Sequence, residues 1–385
     1  MRIAIVTDGW LPQVSGVVTT LVNVKEQLEA MGHEVKVIGP DFAHRHFHCP
    51  SYPEVELAVF PFREISRALD AFRPDAIHIA SEVTVGLAAR RYCVKRGIPF
   101  TTAYHTRFPE YIRQRYPVPL RVSYSYFRWF HSKAAKVLVP TASIKQVLES
   151  RGFRNIVLWE RGVDTNLFKP RERYEKIVPD WPRPVMLYVG RVAVEKNIEA
   201  FLDLDLPGTK IVVGDGPERV RLESEYPNAV FTGYKADEEL AEYYAASDVF
   251  VFPSRTDTYG IVLLEALASG TPVAAFPVPG PMDLISDGAT GALDNDLEAA
   301  VRRALLIRGS ACREFALEMS WRKCAADFLA FQAQIDERKF TVRRFAMPIR
   351  SVRAARAIAG LRRISTNAVR MAAVRASALR RRLPR

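Results

Sequence analysis

Residues 185–217 read "VMLYVGRVAVEKNIEAFLDLDLPGTKIVVGDGP", and their rhythm decides the fold class. A short apolar run ends at Gly190, a segment of helical character follows, a Pro-Gly turn interrupts it, and a second β-branched run ends at Gly214. Runs without inward–outward alternation belong to strands buried on both faces, and a helix between two of them makes a parallel crossover unit. The same rhythm continues downstream in "AVFTGY", "DVFVFPS" and "PVAAFPV". Upstream it runs through "RIAIVTD", "HEVKVIGP", "DAIHIAS", "IPFTTAYHT" and "AAKVLVPT", with helices at "TLVNVKEQLEAMG", "FREISRALDAFRP" and "VGLAARRYCVKRG". Between the two series, 169–184 ("KPRERYEKIVPDWPRP") is charged, proline-rich and aperiodic, as a linker is. The expected architecture is α/β, with two Rossmann-like domains facing across a cleft. The domains are 1–168 and 169–320, followed by a closing helix at 321–337 and a basic tail at 338–385.

In open parallel sheets, ligands bind outside the carboxyl ends of the strands. Here those ends carry Thr7–Gly16, His105, Gly190–Lys196, Gly214–Pro217 and Ser254–Gly260. In "GRVAVEKN" the planar fork of Arg191 and the point charge of Lys196 suit a diphosphate, although two surface cations before a helix read the same way. In "DTYGIVLLEALASG" a glycine opens an apolar helix that carries one acid, Glu265. The amides at such a start, with the positive end of the helix dipole, favour a phosphate. A carboxylate one and a half turns further in suits a ribose diol, if it is not simply a paired helix-face residue.

With these loops in order, the chain resembles glycosyltransferase family 4, retaining enzymes of the GT-B fold. "DTYGIVLLEALASGTPV" is similar to the family's signature of two acids with seven residues between them, here Asp257 and Glu265. "GRVAVEKN" resembles its diphosphate clamp, "VVGDGPER" its glycine loop, "YHTRF" its histidine segment and "LPQVSGV" its amino-terminal glycine loop. The resemblance covers about residues 1–335. It implies His105, Arg191, Lys196 and Asp257 as catalytic residues. It implies Gly16, Gly190, Gly214, Gly216, Tyr259, Gly260, Ile261, Val262 and Glu265 as the donor-binding set. The first acid is aspartate where the family usually has glutamate, one methylene shorter. No nucleophilic carboxylate for a double displacement is evident, so the implied mechanism is front-face attack, without cofactor or metal. Neither Asp203–Asp205 nor "HRHFHC" (His44 to Cys49) reads as a metal site, the latter being expected as a polar loop.

Charge locates the acceptor side. Of a formal net charge of +12, Arg338–Arg385 holds fifteen Lys/Arg and no acid, which leaves residues 1–337 slightly acidic. The tail is expected as a basic amphipathic helix on an anionic membrane, against a disordered solubilising tail. Nucleic acid is disfavoured because the stretch 351–385 carries no stacking aromatics. Tyr104–Phe130 holds nine aromatics interleaved with Arg107, Arg113, Arg115, Arg121 and Arg128, a composition that suits either a bilayer interface or a core helix with a basic face. Four cysteines without paired spacing, no signal peptide and no spanning segment point to a cytoplasmic protein, peripheral on the inner face of the membrane. The expected activity is transfer of a hexose from a UDP- or GDP-sugar to a membrane lipid. The alternatives are a soluble acceptor, a nucleotide-binding regulatory protein with a degenerate site, and an NAD-dependent oxidoreductase. A G-x-G-x-x-G after the first strand would favour the last, and it is absent.

Overall fold

Two six-stranded parallel sheets organise the chain. The computed structural model describes residues 1–49, 52–171 and 181–340. The first sheet comprises β1 (Arg2–Val6), β2 (Glu34–Ile38), β5 (Ala76–Ile79), β6 (Thr101–Ala103), β7 (Lys136–Val139) and β8 (Ile156–Leu158), in the order β2-β1-β5-β6-β7-β8. Beside it, β3 (His46–Cys49) and β4 (Tyr52–Ala58) form an antiparallel hairpin. The second sheet comprises β9 (Val185–Val189), β10 (Thr209–Val213), β11 (Val230–Gly233), β12 (Val249–Phe252), β13 (Val273–Ala275) and β14 (Gly291–Leu293), in the order β11-β10-β9-β12-β13-β14. Counted within the second sheet this is 3-2-1-4-5-6, the doubly wound order, and its direction reverses between β9 and β12. In the first sheet the reversal falls between β1 and β5. The loops beyond those four strands are therefore where the topology opens a crevice.

Burial explains the uninterrupted apolar runs. Every residue of β9, β12 and β13 is buried, because helices cover both faces of the sheet. Two apolar clusters flank each sheet. One of them joins segments far apart in the sequence: Ile3, Ile5, Leu21, Val24 and Leu28 pack with Trp321, Cys324, Ala325 and Phe328. The helix carrying the latter, Trp321–Phe331, starts where the Ser320 side chain accepts from the Lys323 amide at 3.1 Å. It lies on the Gly16–Ala30 helix of the first sheet, and the Trp159 indole donates to the Cys324 carbonyl at 3.0 Å. A fully buried phenylalanine such as Phe328 contributes about 1.5–3 kcal/mol by transfer from water, so this helix is part of the first sheet's core.

Three sequence expectations change. The closing helix expected at 321–337 ends at Phe331, and a short 3₁₀ turn at Glu337–Phe340 follows. The histidines at 44–48 do not sit in a plain loop: His46 and His48 belong to β3, and His46 lies 3.7 Å from Glu56 across the hairpin. The aromatic stretch forms two helices, Phe108–Arg115 and Leu120–His131. Residues 172–180 of the expected linker, and all of the expected tail beyond Phe340, lie outside the described residues.

Candidate active site

The loops after β9 and β10 are held together backbone to backbone. Gly190 and Gly214 touch so closely that a Cβ on Gly214 would fall 1.9 Å from the Gly190 carbonyl oxygen, at φ +139°. Only glycine fits there. The close approach lines up Gly190, Gly214 and Gly216 beside Arg191. A turn of 3₁₀ helix, Val194–Lys196, then presents Lys196, and the Asn197 amide ties that turn to the Pro253 carbonyl at the end of β12.

Across the switch point, Lys196 Nζ meets Asp257 Oδ1 at 2.5 Å. Burial works to lower the lysine's pKa, but the Asp257 carboxylate together with Tyr111 and Tyr188 outweighs it and holds it above the ordinary lysine value. Lys196 is thus a permanent cation. The other aspartate oxygen, Oδ2, is buried without a hydrogen-bond partner among the described residues. An unsatisfied carboxylate oxygen is costly in a folded protein and marks a place where a ligand donor belongs.

Gly260 takes φ +84° and turns the chain into the Ile261–Ala268 helix. Leu263 makes the first internal hydrogen bond, back to Gly260, so the Ile261 and Val262 amides precede the helical ladder. Gly16 opens a second helix, and a Cβ on it would lie 3.7 Å from Ile261 Cδ1, an ordinary contact. Packing does not demand glycine at that position. Two helix starts, one from each half, therefore lie beside each other, and the positive end of each helix dipole is there. Glu265 is partly buried and accepts from the Tyr244 hydroxyl at 2.8 Å. Burial raises its pKa to about 7, and the Tyr244 hydrogen bond counters only part of that.

His105 follows β6, and its carbonyl accepts the Thr258 hydroxyl at 2.5 Å, which fastens the histidine segment to the acid-bearing loop. Burial first, and then the Arg161 cation, hold its imidazole well below the usual histidine value. It is neutral in the working range. Tyr259, expected in the donor set, turns its side chain into the core of the second half, and its hydroxyl accepts from the Arg161 amide at 3.4 Å. Only its backbone is left to line the crevice.

Three neighbours went unread in the sequence. Tyr111 acts on Lys196 and Asp257 from the first half. Tyr244 holds Glu265, and Arg161 holds His105 at 3.4 Å. A single tyrosine in a helix, or an arginine in "WERGVD", carries no local signal of such a partner. Elsewhere, Asp203 accepts the Tyr226 hydroxyl at 2.7 Å, and no cluster of His, Cys, Asp and Glu among the described residues is arranged to hold a metal ion.

Residues 14–167 match the model of Glycosyltransferase Family 4, and 183–307 that of Glycosyl transferases group 1. The GDP-mannose-dependent alpha-mannosyltransferase of Mycobacterium tuberculosis is 37% identical over 317 residues, 76% of this chain and 83% of the relative. The chain is a family 4 glycosyltransferase. Another relative, the alpha-monoglucosyldiacylglycerol synthase of Streptococcus pneumoniae, is 30% identical over 80% of this chain and 78% of its own length. Among solved structures, sucrose-phosphate synthase from Thermosynechococcus elongatus superposes with a TM-score of 0.69 at 21% identity, covering 86% of this chain and 97% of that one. That likeness bears on the fold, the GT-B arrangement of two parallel-sheet halves. The regulatory-protein and oxidoreductase alternatives fall away for this glycosyltransferase. No helix among its described residues is long and apolar enough to cross a membrane.

Proposed function

We propose that this family 4 glycosyltransferase moves mannose from GDP-mannose, with retention of configuration, to a lipid acceptor at an anionic membrane surface. The observation that carries the reading is the Lys196–Asp257 pair at the β9/β12 switch point, tied to His105 through Thr258. Relatives named as GDP-mannose-dependent alpha-mannosyltransferases support the donor, and one named for diacylglycerol supports the acceptor class.

In this reading Glu265 takes the ribose diol, the Ile261 and Val262 amides meet the distal phosphate, and Arg191 and Lys196 neutralise the leaving diphosphate. The acceptor oxygen bonds to the anomeric carbon on the face that the phosphate leaves, and its proton passes to the departing phosphate oxygen. No side-chain base is required, which fits a neutral His105 and an ion-paired Asp257. Catalysis then rests on positioning and on charge stabilisation. The test is nucleotide release from a panel of UDP- and GDP-sugars with lipid-extract liposomes as acceptor, followed by mass spectrometry of the lipids. Turnover with UDP-sugars and none with GDP-mannose would refute the donor, and product confined to the aqueous phase would refute the lipid.

Asp257 has two tasks here: Oδ2 receives a sugar hydroxyl and Oδ1 restrains Lys196. Asp257→Asn is therefore expected to lower turnover about 100-fold or more, while binding of GDP alone, measured by calorimetry, holds or tightens because the lysine loses its rival anion. Weaker GDP binding would show that the aspartate supports the nucleotide site.

The acceptor side draws on the Leu120–His131 helix. One face, Tyr124, Phe127 and Phe130, is core; the other leaves Val122 60%, Tyr126 38% and Trp129 51% exposed, with Arg121 and Arg128 exposed beside them. The core-helix expectation applies to the first face, and the second keeps the composition that motivates the bilayer reading. Aromatic and basic groups on one exposed stripe suit the interfacial region of a bilayer. The fifteen cations of 338–385 add attraction of about 1 kcal/mol each when near an anionic leaflet. Deletion of 341–385 is expected to lower sedimentation with anionic but not neutral vesicles, and Trp129→Glu to lower it further. Equal partitioning of all three proteins would remove both surfaces from the proposal.

A further inference from the structure

Arg161 is 4% exposed, and among the described residues no carboxylate is a hydrogen-bond partner of it. Its guanidinium stacks on Trp159 at 4.1 Å, and Nη1 donates to the Trp159 carbonyl at 2.5 Å and the Glu160 carbonyl at 3.3 Å. Nη2 lies 3.4 Å from His105 Nδ1. The His105 ring stands edge-on to the same indole, with centroids 5.9 Å apart. Trp159 is itself immobilised, fully buried and bonded to the Cys324 carbonyl. The arginine is therefore clamped on three sides, and its free donor edge is aimed at one imidazole nitrogen.

A guanidinium only donates and does not lose its proton in proteins. The nitrogen it approaches must accept, so the imidazole proton resides on Nε2. That nitrogen is buried and has no partner among the described residues. We propose that Arg161 is a positioning residue that locks His105 in the neutral Nε2–H tautomer, so that the histidine presents the bound sugar with a hydrogen-bond donor and takes no part as a base. The same cation disfavours protonation of the ring, so the donor persists across the working pH range. The inference rests on the placement of His105 in the donor site, and two separate readouts keep the two apart.

The first readout is the nitrogen NMR spectrum of the intact protein labelled with 15N-histidine, with the His105 signals assigned by their loss in His105→Gln. The expected wild-type pattern is an unprotonated Nδ1 and a protonated Nε2 that do not titrate between pH 5.5 and 9. Proton on Nδ1, or titration in that range, overturns the proposal. Arg161→Met is expected to produce mixed tautomers or titration, and Arg161→Lys, which keeps a cationic donor, to retain much of the wild-type pattern. Should the methionine variant fail to fold, the wild-type spectrum and the lysine variant decide alone. The second readout is turnover, expected to fall roughly tenfold or more in kcat for Arg161→Met with a smaller change in KM, the scale of one oriented hydrogen bond. An altered tautomer with unaltered turnover would uphold the lock and remove His105 from the reaction. Lost turnover with an unaltered tautomer would overturn the lock and make Arg161 a folding residue.

Discussion

Lys196→Ala is expected to slow single-turnover transfer at saturating donor by about 10²–10³-fold, the cost of removing one preorganised group that stabilises developing charge. Arg191→Ala is expected to act in the same direction. The argument is electrostatic. Bond cleavage places a further negative charge on the distal phosphate, and Lys196 is already charged, already oriented by Asp257 and partly removed from water. Nothing has to reorganise as the charge appears. If either substitution raises only the apparent Kd for donor and leaves the single-turnover rate intact, the cations bind ground state and transition state alike, and the catalytic role is wrong. Lys196→Ala also strands the Asp257 carboxylate, whose other oxygen is already without a partner among the described residues. A stranded buried charge costs several kcal/mol. The double variant Lys196→Ala/Asp257→Asn removes that charge, so it is expected to recover thermal stability while staying inactive. Recovery of both together would mean that the single variant had lost activity by unfolding.

Glu265→Gln is expected to weaken donor binding and to stabilise the empty enzyme. Burial lifts the Glu265 pKa to about 7, above the ordinary glutamate value of 4.5. For an acid raised in the folded state the linkage runs opposite to the salt-bridged case. The ionised group is a liability that is absent below pH 4.5, grows as pH rises, and is complete above about 7. The shift corresponds to at most about 3 kcal/mol, less what solvent at this partly open position screens. Glutamine keeps an oxygen for the Tyr244 hydroxyl and carries no charge. The variant is thus expected to melt higher than wild type at pH 8 and alike near pH 4.5. Ligand binding has the reverse sign: two ribose hydroxyls donate best to an ionised carboxylate, so wild-type affinity for the sugar nucleotide is expected to fall as pH drops through 7, and the variant's to stay low and flat. Calorimetry across pH 6–8 and thermal unfolding at pH 4.5 and 8 check both halves. Unchanged affinity in the variant would take Glu265 out of the donor site.

Some of this site was legible residue by residue. β9, β12 and β13 are buried on both faces, so their apolar runs could not be disguised. The loops that follow β9, β10 and β12 must turn sharply at the carboxyl ends of the strands, so Gly190, Gly214 and Gly260 stand out in one dimension. An acid within "IVLLEALA" is conspicuous because an apolar helix has no reason to carry one. The order of these signals along the chain was enough for two parallel-sheet halves and for the family. What the sequence could not show is who meets whom. Asp257 and Lys196 are 61 positions apart, Arg161 and His105 56 apart, and Thr258 and the His105 carbonyl 153 apart. Pairing at such separations follows from how the two sheets stack, and a local window of residues holds no record of it. The same holds for the Trp321–Phe331 helix, whose periodicity announces a helix but not that its apolar face completes the core of the first sheet. It holds also for the Leu120–His131 helix, where Phe127 and Trp129 read alike as aromatics, and only packing against β-sheet and neighbouring helices decides that one is core and the other faces solvent. Composition and periodicity set which elements form, because they act within one turn or one strand; ion pairs, tautomers and exposed faces depend on contacts between distant elements, and these exist only once the chain has folded.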